Sequence, residues 1–83
     1  MKWYVYIVRC ADGTLYTGIT TSLKRRISEH NSSEKGARYT KSRRPVKLVY
    51  NETYRTRRSA SRREFLIKRM VKKAKEGMVK WKG

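Results

Sequence analysis

Two stretches rich in aromatic and β-branched side chains, Trp3 to Arg9 and Thr14 to Ile19, stand on either side of the turn signal Ala11-Asp12-Gly13. A pattern of this kind reads as a β-hairpin. If the loop holds three residues with Gly13 in the left-handed position, Cys10 pairs with Thr14. Tyr6 then lies opposite Gly18, and Tyr16 opposite Val8. Strand side chains alternate between faces, so this register puts Tyr6 and Tyr16 on one face, with the absent side chain of Gly18 leaving room beside Tyr6. A two-residue loop would separate the two tyrosines. Tyr4 shares the face with Tyr6, so register alone does not choose between them.

After the hairpin, Thr20, Thr21 and Ser22 offer helix N-caps, and Leu23 and Ile27 sit four apart in a short helix running to about Asn31. Ser32 to Pro45 shows no period and reads as a basic loop that orders, if at all, on binding. Val46 to Tyr54 alternates like a strand. From about Arg57 to Lys75 nothing interrupts a helix, and Met78 to Gly83 reads as a basic tail. The element order is strand, strand, helix, strand, helix, in one domain over residues 1–83 with a core at about 3–76. An 83-residue chain buries only about 60% of the surface its unfolded form exposes, so the core is thin.

Charge narrows the partner. The chain carries 23 Lys plus Arg against 6 Asp plus Glu, a formal net charge of +17, which implies a polyanion. One cysteine and one histidine cannot form an internal disulfide or a four-ligand zinc site. The longest apolar run, Trp3 to Val8, falls well short of the roughly 20 residues that span a bilayer, and a cytoplasmic protein is expected.

Several residues break the structural pattern. On the last helix Ala60, Ile67, Val71, Ala74 and Met78 follow a helical stripe, and Glu64 occupies the stripe position between Ala60 and Ile67. A carboxylate on a core-facing stripe costs several kcal/mol unless it is paired or binds a cation. The alternative is a capping box, because Ser61-Arg62-Arg63-Glu64 fits the S-x-x-E pattern. Arg26 and His30, four apart on the short helix, project from one side and both suit a phosphate, through a planar fork of donors and a proton-carrying imidazole. Each also has a plain reading, Arg26 as a solvated charge and His30 as a complement to the helix dipole. Tyr6 and Tyr16 could equally be aromatic core filling.

Taken together, Tyr4-Val5-Tyr6-Ile7, Tyr16-Thr17-Gly18, Thr20, Leu23, Arg26, His30-Asn31, Pro45 and Glu64 with Lys68 resemble the GIY-YIG nuclease superfamily, especially its small stand-alone members. These are similar to the catalytic domain of structure-specific nucleases acting in DNA repair or recombination. The resemblance covers Trp3 to about Glu76. It implies a small α/β domain of the α+β kind, with a three-stranded antiparallel sheet flanked by helices, and metal-dependent cleavage of a DNA strand. It would make Tyr6 the general base, Tyr16 its assistant in positioning water, Arg26 the clamp on the scissile phosphate and His30 a proton-transfer or phosphate-binding group. Glu64 would hold one divalent ion, Mg²⁺ or another such as Mn²⁺, and Gly18 would be the glycine of the second motif. Backbone contacts are expected from Arg25, Arg38, Lys41, Arg43, Arg44 and Lys68. Val5-Tyr6-Ile7 stands where the superfamily name has Gly-Ile-Tyr, and no further DNA-binding domain is evident, which argues against high sequence specificity. Two other classes compete: a non-catalytic DNA- or RNA-binding module, which gains nothing from Glu64, and a membrane-surface helix, whose apolar stripe this small core needs.

Overall fold

A computed structural model of the chain describes residues 2–82. Strands β1 (Trp3–Arg9) and β2 (Leu15–Thr20) lead to helices α1 (Leu23–Ser32) and α2 (Arg38–Lys41), then to strand β3 (Lys47–Tyr54) and helices α3 (Arg57–Lys68) and α4 (Lys72–Lys82). The sheet is antiparallel with order β2-β1-β3, so the most apolar strand is central. The hairpin has the expected register: Tyr6 pairs with Gly18 and Val8 with Tyr16. Its loop closes through the Cys10 amide donating to Thr14 at 2.8 Å, with Gly13 at φ 85°, a conformation that L-residues other than glycine seldom adopt.

Period-two alternation sends the two faces of β1 into different cores. Val5 and Ile7 pack with Ala60 and Ile67 of α3 and with Met70, Met78 and Val79. Tyr6 and Val8 pack with Cys10, Val46 and, from α1, Leu23 and Ile27. A bulge between Ile7 and Val8 shifts the pairing with β3 and bends that strand locally. Glu52 on β3 accepts two bonds from Arg63, at 2.9 and 3.0 Å, and one each from the Tyr50 and Tyr54 hydroxyls, tying the sheet to α3.

Three expectations from the sequence are corrected. The single long helix is two: α3 ends at Lys68 with the Arg69 and Met70 amides donating to Leu66 and Ile67 carbonyls at 3.2 and 3.0 Å. These are tight i→i+3 closures of the last turn. The chain then turns so that α4 packs on β3, fixed by Arg9 donating twice to the Glu76 carboxylate at 2.6 and 3.0 Å. Val71, placed on the core stripe by its spacing, lies at this break and is 71% exposed. Second, the expected tail is largely the second half of α4, with Met78 and Val79 against the core; Gly83 lies outside the described residues. Third, the basic segment from Ser32 to Pro45 is ordered in the free protein. Arg44 donates to the carbonyls of His30, Ser33 and Glu29 at 2.5, 2.6 and 3.3 Å, Asn31 exchanges two bonds with the Val46 backbone, and α2 sits between them.

The helix break makes a direct prediction. Ile67→Ala, which empties a fully buried site, should cost about 2–5 kcal/mol in denaturant unfolding. Val71→Ser should stay within about 0.5 kcal/mol of the parent. A comparable loss at both positions would restore the uninterrupted stripe.

Candidate active site

The site is built on the tyrosine face of the hairpin. Tyr6, 1% exposed, lies across Gly18, where an added Cβ would stand 2.5 Å from the phenol oxygen and 2.7 Å from Cζ. Any side chain at 18 would therefore displace the ring. The phenol meets His30 Nε2 at 2.7 Å. His30 is fully buried at the end of α1 and its Nδ1 meets Thr40 Oγ1 at 2.8 Å. Thr40, also fully buried, donates its hydroxyl to the Ala37 carbonyl at 2.9 Å.

Donors and acceptors along this chain assign the tautomer. The Thr40 hydroxyl has one proton and it goes to Ala37, so the threonine accepts from an Nδ1–H. Nε2 is then the bare nitrogen, and Tyr6 donates to it. The Ala37 amide also faces Nδ1, at the long distance of 3.5 Å. The opposite tautomer would suit that contact, but it would set a bare Nδ1 against a Thr40 oxygen whose proton already goes to Ala37. The pair is neutral at rest. Burial pushes the Tyr6 phenol up to about 12, against the lowering effect of the nearby Arg26 guanidinium, while Tyr16 and Glu64 push the same way as burial. Burial, Arg26 and Arg44 bring His30 down to about 4, opposed only by Glu29.

The other sequence candidates converge here. Tyr16 meets His30 edge-on with ring centroids 5.5 Å apart, and Arg26 is held by Glu29 at 2.9 Å and the Lys35 carbonyl at 2.8 Å. Glu64 is paired with Lys68 at 3.2 Å, and the Lys68 ammonium lies 5.8 Å over the Tyr16 ring, so α3 brings both to the tyrosine cluster. The capping-box reading of Glu64 is excluded, because α3 starts at Arg57 with Thr56 as its N-cap, accepting from the Ser59 amide. Tyr4 and Tyr6 share a face, but Tyr6 is the one joined to His30.

The expected backbone-contact residues divide. Arg38 and Lys41 are exposed on α2, Arg25 reaches Thr20 and lies 3.8 Å from Glu29, and Arg43 stacks 3.9 Å over the Tyr39 ring while pairing with Asp12 at 3.0 Å. Arg44 differs: its guanidinium is engaged with three backbone carbonyls and braces the loop. Sequence reasoning missed Thr40, which sets the histidine tautomer, and Tyr39, which stacks on Tyr16 at 5.7 Å. Both lie in a segment without periodicity, which carries no signal for either.

No cluster of three or more His, Cys, Asp or Glu side chains suited to a metal occurs among the described residues. A lone carboxylate such as Glu64 nonetheless fits Mg²⁺, an ion that keeps several waters and takes one or two carboxylates plus substrate phosphates.

Comparison with known proteins agrees with this arrangement: the GIY-YIG catalytic domain matches residues 2–77. The chain belongs to the GIY-YIG family. It is 67% identical over 78 residues to a UPF0213 protein of Desulfotalea psychrophila, covering 94% of this chain and 71% of that protein. A UPF0213 protein of Staphylococcus haemolyticus is 51% identical over 78 residues, covering 94% of each. Among solved structures, the solution NMR structure of a UPF0213 protein from Bacillus halodurans superposes with TM-score 0.64 at 43% identity, covering all of this chain and 87% of that one. A second NMR structure, of a protein from E. faecalis, gives TM-score 0.63 at 36% identity over 98% and 86% of the two chains. Among the described residues no helix of this GIY-YIG protein is long and apolar enough to cross a membrane.

The buried histidine predicts an acid weakness. His30 titrates lower in the folded chain, about 4 against an ordinary value of 6.5, so the unfolded chain binds more protons between these values and stability falls as pH drops from about 6.5 to 4. Glu52, raised by burial but brought down overall to about 2 by Arg63, Tyr50 and Tyr54, loses its contribution in a lower window, as pH falls from about 4.5 through 2. Urea unfolding across pH 4 to 7 should show a loss of order a few kcal/mol in the upper window, much reduced in His30→Gln. A flat profile there would contradict a buried neutral His30.

Proposed function

We propose that this GIY-YIG domain is an endonuclease that hydrolyses DNA phosphodiester bonds with low sequence specificity. The observation that carries the reading is the buried Tyr6–His30–Thr40 hydrogen-bond chain, which Tyr16 also contacts and whose phenol feels the Arg26 charge. A sheet built only for packing has no need of a buried phenol donating to a buried, bare imidazole nitrogen. Phosphodiester hydrolysis does, because it needs a base for the attacking water and a cation at the phosphate.

In this mechanism the attacking water gives its proton to the Tyr6 oxygen as the phenol passes its own to His30 Nε2. Neither group has to start charged. The imidazolium that forms donates through Nδ1 to Thr40, and the phosphate gains negative charge beside Arg26 as His30 gains positive charge. Arg26, fixed by Glu29 and the Lys35 carbonyl, presents its remaining donors to the phosphate oxygens. Tyr16 positions the water against the Tyr6 oxygen, and Gly18 leaves the room that the Tyr6 ring occupies. Glu64 would hold the divalent ion, which when bound supplies charge stabilisation for the leaving oxygen. Exposed cations such as Arg38 and Lys41 hold the strand backbone.

A plain nucleic-acid-binding module is the second reading, favoured only by the charge of +17. Plasmid nicking with Mg²⁺ or Mn²⁺ and with EDTA separates the two. Glu64→Gln should abolish divalent-dependent nicking while leaving DNA affinity intact or slightly improved and the melting temperature nearly unchanged, since the helix cap is Thr56. A fully active variant would remove Glu64 from the site. Arg26→Lys, which keeps the charge but loses the planar fork, should lower turnover at saturating DNA by roughly 10²-fold or more, the scale of one transition-state donor. Arg25→Ala is its neighbouring control. Near-normal turnover in the lysine variant would move the phosphate clamp elsewhere.

A further inference from the structure

Phe65 follows Glu64 on α3 and has no place in either core: it is 58% exposed. A helix advances about 100° per residue, so Phe65 projects from the flank next to the one that carries Glu64 and Lys68 to the tyrosine cluster. Three of its neighbours three or four residues away are cationic. Arg62, Lys68 and Arg69 are all exposed, and the Arg69 guanidinium lies over one face of the Phe65 ring, 5.3 Å from its centre. Glu64 is the only acid on this helix, and it is paired to Lys68.

An exposed phenylalanine on so thin a core costs solubility without adding packing. An aromatic ring among cations suits one ligand in particular, a nucleic-acid strand whose phosphates meet the arginines while a base stacks on the ring. Position adds to the fit, because the ring lies on the flank adjoining that of the carboxylate which the nuclease reading places next to the cleaved bond.

We infer that Phe65 is a stacking platform for an unstacked nucleobase adjacent to the scissile phosphate, held there by the Arg62 and Arg69 charges. The inference rests on the nuclease reading and adds a substrate requirement to it: the strand must present a base out of the helical stack, as in single-stranded or distorted DNA. Phe65 is a positioning residue and takes no part in the proton chain.

The test is binding of a short single-stranded oligonucleotide in EDTA at fixed salt, with 2-aminopurine at successive positions reporting on base stacking. Phe65→Ala should weaken binding roughly five- to hundred-fold, the range for losing one base–aromatic stack. It should also abolish the fluorescence change at the one nucleotide that shows it with the parent protein. Phe65→Trp should restore both, and Leu66→Ala, which alters an equally exposed side chain about 100° further round the helix, should change neither. Equal affinities of Phe65→Ala and the parent, or an equal loss in Leu66→Ala, would overturn the platform while leaving the nuclease reading standing. Failure of the parent to bind nucleic acid at all would overturn both. Parent binding to anionic lipid vesicles that is lost in Phe65→Ala, with oligonucleotide binding unchanged, would assign the ring to a membrane surface instead.

Discussion

The hydrogen bond between the Tyr6 phenol and His30 Nε2, 2.7 Å long and buried, is the interaction on which the rest of the structure depends. Both partners are polar groups in a thin core, and either one left alone would cost the desolvation of an unsatisfied buried group. The surrounding sequence is arranged to avoid that cost. Gly18 makes space for the ring, Thr40 fixes the imidazole proton on the far side, and Arg44 and Asn31 hold the loop that delivers Thr40. No buried side-chain donor or acceptor among the described residues lacks a partner. Satisfaction of this kind rigidifies a polar network and gives it one arrangement.

The same constraint connects fold to chemistry. A phenol that donates to a bare nitrogen keeps its own oxygen lone pairs free to accept. Low dielectric keeps both groups neutral, and in the proposed reaction a proton moves through the pair without a charged resting state. In the proposed function the strong net charge acts at longer range, holding a polyanion over a site whose working residues are few and mostly uncharged.

Much of this was legible in the sequence because it follows from strict local rules. The loop glycine sets the hairpin register, and register sets which tyrosines share a face and where Gly18 falls. Glu64 was visible as an interruption in an apolar stripe. What was not legible depends on tertiary contacts. Nothing between Arg57 and Lys75 disfavours a helix, and the break at Arg69 exists because Arg9 and the β3 surface capture the following segment. Thr40 and Arg44 sit in an aperiodic basic stretch, where composition suggests a solvated loop. Their roles appear only once the backbone carbonyls of α1 and the buried His30 are in place. Arg44 shows the limit of charge counting, because its charge and fork of donors serve the protein's own backbone.

His30 is the only histidine in the chain, so its imidazole can be observed alone. The most direct measurement is ¹⁵N-resolved NMR of that ring across pH. The account requires a neutral imidazole at pH 7 with the proton on Nδ1 and Nε2 bare, one tautomer throughout, and a midpoint near pH 4. A ring that titrates near 6.5, or that carries its proton on Nε2 at neutral pH, would contradict the Tyr6-to-His30 proton path and with it the chemistry assigned to this site.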